Sequence, residues 1–154
     1  PATTANAKNI EDEDSDYEIK LWLDPADKTA YYYAEPEKVY LNEDSRRMFS
    51  NGWGDRLLKN ILDIDLSNFD TSKVTDMYGM FALDKQDGTK DKLERIYVNN
   101  DFNTAKLTDT YQMFGNRKKL RGGNGSYLAD PSTADKSWLR VDRPGVWGYF
   151  TRKP

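Results

Sequence analysis

Hydrophobic positions in this chain recur as one pattern. Between Ile61 and Phe81 the sequence reads ILDIDLSNFDTSKVTDMYGMF, in which Ile61, Ile64 and Leu66 point one way and Asp63 and Asp65 the other, as in a strand with one wet face. Phe69 follows at an Asn-Phe-Asp-Thr-Ser corner, where it plugs the core. Val74, Met77, Met80 and Phe81 then come at spacings of three, three and one, the stripe of a short helix capped by a Thr or Ser between residues 71 and 75. The pattern returns at Leu93 to Phe114: setting Phe69 on Phe102 (102 − 69 = 33) brings Thr71 onto Thr104, Asp76 onto Asp109, Tyr78 onto Tyr111 and Met80-Phe81 onto Met113-Phe114. Met48-Phe49 closes a partial earlier copy (81 − 49 = 32). A period of this length indicates a solenoid.

The flanks carry other periods. Tyr17 to Leu23 alternates apolar and polar residues, and a turn at Asp24-Pro25-Ala26-Asp27 leads to Thr29 to Ala34, so the two read as a β-hairpin. After Phe114 the Gly-rich turn at Leu120 to Gly125 breaks the repeat. Trp138 to Asp142 and Trp147 to Lys153, joined through Arg143-Pro144-Gly145, read as a second hairpin closing the open end. The expected fold is therefore α/β, a short leucine-rich-repeat-like solenoid with a strand plus a short helix per unit and β-hairpin caps at both ends. Residues 1–16, acidic and poor in large apolar side chains, read as a flexible linker. Residues 17–154 read as a single domain: an N-terminal hairpin and partial repeat at 17–49, repeats at 61–81 and 93–114, and a C-terminal cap at 115–154. The abrupt ends suggest a piece of a longer polypeptide, with any secretion signal or wall anchor outside it.

Composition narrows the chemistry. Only 37% of the 154 residues are hydrophobic, yet 13% are aromatic, so Tyr, Trp and Phe must supply much of the buried area. Cysteine and histidine are both absent, which removes thiolate catalysis, thiolate metal sites and the commonest general base. A net charge of −3 offers no electrostatic reason to expect nucleic acid, and no apolar run is long enough to insert in a membrane. Neither enzymatic activity nor a cofactor is expected.

Isolated motifs are weak. Asp12, Asp14 and Asp16 occupy alternate positions of a calcium loop, but Tyr17 replaces the needed Gly and Leu23 the bidentate Glu. Gly122-Gly123-Asn124-Gly125 lacks the Lys-Ser or Lys-Thr of a phosphate cradle and reads as a turn. The Met-Phe pairs at 48, 80 and 113 read as core.

The stretch Ile61 to Phe81 resembles the repeat of BspA-like leucine-rich-repeat surface proteins, a resemblance weaker at Leu93 to Phe114, where Asn99, Asn103, Ala105 and Thr110 depart from it. Gly148 to Thr151 is similar to the closing segment of such proteins. The resemblance implies an extracellular location on a bacterial cell surface and an adhesive job. The expected partner is a host protein, either an immunoglobulin or an extracellular-matrix protein, met by a monomeric domain of a tandem multidomain protein. The expected contact is the strand face with exposed aromatics: Trp22, Tyr40, Trp53, Asp63, Asp65, Arg95 and Tyr97. A carbohydrate-binding module using those aromatics as stacking platforms, or a structural spacer between adhesive domains, are the alternatives.

Overall fold

In the segment TDMYGMF, which reads as a helix, alternate amides are bonded outward instead of along the chain. In the computed structural model, which describes residues 7–24, 26, 29–50, 61–83 and 90–154, the N–H groups of Met77, Gly79 and Phe81 donate to the carbonyls of Asp109, Tyr111 and Met113 at 2.9, 3.0 and 2.8 Å. Ser45, Arg47 and Phe49 repeat the step one copy earlier, donating to Asp76, Tyr78 and Met80 at 3.0, 2.9 and 2.8 Å. Bonding at every second residue is the periodicity of a parallel ladder, and it leaves those amides unable to form the i−4 bond of a helix. Asp44, Asp76 and Asp109, joined by parallel bridges, reinforce this. Each side chain accepts the N–H two residues on, at 3.1, 2.9 and 3.0 Å, the local bond by which Asp competes with helix formation. Arg47, Gly79 and Gln112 stand at equivalent positions and all have left-handed backbone, with φ of 54°, 57° and 57°.

The expected solenoid of strand-plus-helix units is therefore not what the chain builds. Among the described residues there is no α-helix; 3-10 turns stand at Pro131–Thr133 and Lys136–Trp138, and the short strands fall into three small sheets. The spacing of three that suggested a helix comes from tight turns instead. Val74 N–H donates to Thr71 and Met80 N–H to Met77, each at 3.1 Å, and Val74, Met77, Met80 and Phe81 are fully buried all the same.

The chain divides into two compact units, Pro1–Val39 and Tyr40–Pro154. The first is an antiparallel sheet of β1 (Lys8–Asn9), β2 (Ile19–Asp24) and β3 (Thr29–Ala34). Strand β1 lies in the segment 1–16 read as a flexible linker, and from the same segment the Glu11 carboxylate accepts the Ile19 N–H of β2 at 2.8 Å. The β2–β3 hairpin forms, with Trp22 opposite Tyr31 and their rings stacked 5.6 Å apart.

In the second unit, the Tyr40 end of β4 (Val39–Tyr40) lies along β6 (Phe69–Asp70), and Leu41 N–H donates to the Asp70 carbonyl at 3.0 Å. Strands β5 (Asp63–Asp65), β7 (Arg95–Val98) and β8 (Thr151–Arg152) form a parallel sheet in that order. Ile64, Leu66, Ile96 and Val98 face its core. Three stacked rings run through that core, with Phe49 to Phe81 at 5.8 Å and Phe81 to Phe114 at 5.2 Å. Tyr149 closes the column 4.7 Å from Phe114, and Trp138 backs Tyr149 at 4.7 Å. Met80 and Met113 are fully buried, but Met48, also read as core, is 43% exposed at the first rung.

The C-terminal hairpin cap needs correction too. Trp138 sits in a 3-10 turn, the bridge between Val141 and Phe150 is parallel, and the antiparallel bridge is the tight turn Arg143 to Val146. The edge of β7 gives Thr151–Arg152 a parallel partner, and Lys153 N–H extends it to the Val98 carbonyl at 2.9 Å. The crossing is close: a Cβ on Gly148 would lie 2.1 Å from the Arg140 carbonyl oxygen.

Two outcomes test this packing. Phe81→Ala, at the middle of the ring column, should lower unfolding stability by about 3–5 kcal/mol in a denaturant titration. Gly79→Ala, where the added methyl would meet Arg47 Cγ at an ordinary 3.4 Å, should cost about 1 kcal/mol from left-handed strain alone, and Gln112→Gly at the matching position should cost nothing or stabilise.

Candidate functional site

Strand alternation puts Asp63, Asp65, Arg95 and Tyr97 on the outer side of the parallel sheet, with Asp63 beside Arg95 and Asp65 beside Tyr97. Arg95 and Asp65 have partners within the protein. Arg95 Nη1 donates to the Arg121 carbonyl at 2.9 Å and the Gly122 carbonyl at 3.3 Å. Asp65 pairs with Lys153 and accepts Ser67 N–H at 2.9 Å. Burial by itself would raise the Asp65 carboxyl, but the bonds from Lys153 and Ser67 outweigh it and hold the group below the usual carboxylate range. Tyr97 is half-buried.

The other expected contact residues do not join this group. Tyr40, about half exposed, stands at the end of β4 with the Lys73 ammonium 4.6 Å above its ring. Trp22 belongs to the smaller unit, and Trp53 lies outside the described residues. Trp147, on the closing turn, is 67% exposed and so does not plug the core; its carbonyl holds Arg140 Nε at 2.6 Å.

The rungs present a different face. One position before the left-handed residues Gly79 and Gln112, stacking sets Tyr78 against Tyr111 at 5.6 Å. The Arg47 guanidinium lies 5.4 Å from the centre of the Tyr78 ring. Tyr111 ends this row at 63% exposure. Beside the row an open recess of about 530 Å3 is lined by Asp44, Arg46, Arg47 and Tyr78. Arg46 clamps Asp44 through two bonds of 2.8 and 2.7 Å and reaches Asp76 at 3.6 Å. The side-chain bond from Arg46, with the Arg46 backbone N–H second, lowers the Asp44 carboxyl to about 2. These residues were not among those expected at the site, though one signal marked them. Tyr78 and Tyr111 recur in both copies yet fall off the apolar stripe of Val74, Met77, Met80 and Phe81.

The Gly-rich loop has an anion of its own. The amides of Asn124 and Ser126 both donate to Asp142 Oδ2 at 2.9 Å, and that aspartate is buried. A Cβ on Gly122 would lie 2.5 Å from Asp142 Cβ and 2.1 Å from the Gly148 carbonyl oxygen. The loop is a closing latch, with its amides already taken by a carboxylate.

Comparison with known proteins gives a family for most of the larger unit. Residues 43–137 match the model of the family described as "Mycoplasma protein of unknown function, DUF285". No curated protein and no solved structure matches the chain.

The Arg46 clamp predicts a pH dependence. A carboxyl lowered on folding contributes above its unfolded pKa, near 4, and that contribution is lost as pH falls through the folded value of about 2. Carboxyl-carbon NMR should therefore show Asp44 titrating at about 2, and Arg46→Gln should bring it back toward about 4.

Proposed function

The chain belongs to the DUF285 family, and we propose that it is a non-enzymatic binding module of a bacterial surface protein, holding a host protein on the face formed by Arg47, Tyr78 and Tyr111. The observation that carries this reading is the row itself. An arginine and two tyrosines are held in line by backbone ladders, with the outermost ring 63% exposed. Tyr and Arg are among the residues that most often anchor protein interfaces: Tyr buries large area for little lost side-chain freedom, and Arg brings a planar fork of donors. Here the backbone has already fixed their positions, which reduces the ordering cost of association. The charged recess beside the row supplies the polar rim that such anchors need.

The proposal moves the contact from the strand face to the rung face for a physical reason. Asp65 is already paired with Lys153 and accepts the Ser67 N–H, so a ligand on that face would have to displace an ion pair. The resemblance of Ile61 to Phe81 to BspA-like repeats supports surface display and adhesion, and the family's description as a mycoplasma protein supports a bacterial source. A sequence without histidine or cysteine supports binding over catalysis. An immunoglobulin or an extracellular-matrix protein is the partner class this reading favours, with tandem copies adding avidity.

Capture from human serum and secretions tests it. The chain should retain host protein, and Tyr111→Ala with Arg47→Ser should reduce that capture by roughly thirtyfold, as expected for two interface anchors. Tyr97→Ala on the strand face should leave capture intact. Full retention by the Tyr111/Arg47 variant would sink the rung-face assignment, and glycan-array binding without any protein capture would favour a carbohydrate-binding module.

A further inference from the structure

We propose that the open recess between β7 and the turn 116–121, on the larger unit, is a binding site for a sulfated polysaccharide. The recess, of about 310 Å3, is lined by Arg95, Lys118, Lys119 and Arg121, with Glu94 the one acidic wall. Four cations face one carboxylate on a protein whose net charge is −3. The positive field is thus a local feature and runs against the charge of the chain as a whole.

Pairing separates these cations from others in the same unit. Arg46, Arg117, Arg143 and Lys153 each have an aspartate within ion-pair distance. Among the described residues, Arg95, Lys118, Lys119 and Arg121 have no such partner. Where they are bonded, it is to carbonyl oxygens, which fix their positions without neutralising them. Arg95 Nη1 donates to the Arg121 and Gly122 carbonyls, and Arg121 Nη1 donates to the Lys118 carbonyl at 2.8 Å and the Leu120 carbonyl at 2.9 Å. The Arg121 guanidinium also lies 3.9 Å from the centre of the Tyr127 ring.

The turn that carries the two lysines is held from beneath. Asn116 has left-handed backbone at φ 62° and donates through Nδ2 to the Leu83 carbonyl at 2.9 Å. Arg117 is buried, with Nε on the Phe81 carbonyl at 2.7 Å and Nη1 3.8 Å from Asp91 Oδ1. The other Asp91 oxygen accepts Lys119 N–H at 3.0 Å. This frame leaves Lys118 and Lys119 exposed on a fixed backbone, so little ordering remains for a ligand to impose.

The ligand class follows from what the recess lacks. Its lining is charged throughout, so an acidic peptide would find no seat for apolar side chains. A nucleic acid gains much of its single-strand affinity from stacking on open rings, and the neighbouring ring, Tyr127, has a face covered by Arg121. A sulfated polysaccharide carries charge along its whole length and can bind through ion pairing alone, with counterion release driving association.

Heparin is the probe, titrated against the whole chain by calorimetry over a salt series beginning at about 50 mM. The wild type should bind. Lys118→Gln with Lys119→Gln should weaken binding by roughly tenfold or more and lower the log–log salt slope by about two, one for each lost cation. Because both lysines are exposed, the variant's melting curve should match the wild type, and its capture of host protein through the rung face should not change. The site assignment therefore stands or falls separately from the adhesive reading. Equal heparin affinity in wild type and variant would overturn it, as would no heparin binding at the lowest salt. Tighter binding of a single-stranded oligonucleotide or of poly-glutamate than of heparin would overturn the ligand class.

Discussion

Between Met77 and Leu83 every second amide donates to the next copy of the pattern, ending with Leu83 N–H on the Gly115 carbonyl at 2.8 Å, and the larger unit is arranged around that ladder. Parallel backbone pairing places equivalent residues of successive copies beside one another. Equivalent side chains therefore form columns whether or not they attract. The phenylalanine column is buried and favourable. The aspartate column brings like charges together, which is tolerable because each carboxylate accepts a local amide and Arg46 reaches the first two. The left-handed corner recurs with Arg, Gly and Gln at one position. The ladder thus imposes its backbone on residues that would not choose it.

The same constraint sorts the surface. On the strand face, Asp65 of β5 pairs with Lys153, next to β8, while Arg95 of β7 is held by the carbonyls of Arg121 and Gly122. On the rung face, a half-buried tyrosine carries a second tyrosine outward, and among the described residues no further ring stacks on the last one. At the 116–121 turn, a buried arginine and aspartate fix the backbone while the adjacent lysines remain in water. Both proposed binding surfaces lie where the framework holds a side chain in place without neutralising or covering it.

What was legible in the chain was its periodicity. The copies at 61–81 and 93–114, the burial of Phe81 and Phe114, and the strand at Ile64 with acidic residues facing out all follow from residue spacing, because apolar groups must reach the same core in every copy. The β2–β3 hairpin was legible for a similar reason, from local alternation and a Pro-containing turn. Tyr78 and Tyr111 were visible as repeated residues off the buried stripe, although their role as a paired row was not.

The sequence alone determined which residues recur and which of them are apolar, and with that most of the core. It did not determine helix against turn, since Val74, Met77 and Met80 at intervals of three satisfy both. That choice was made by amides of one copy meeting carbonyls of the next, a pairing between residues far apart in the chain that no local pattern records. The parallel docking of Thr151–Arg152 on β7, the filling of the Gly-rich loop by Asp142 and the engagement of Arg95 with distant carbonyls have the same origin. Each depends on which backbone groups are left unpaired after folding, and only the tertiary structure decides that.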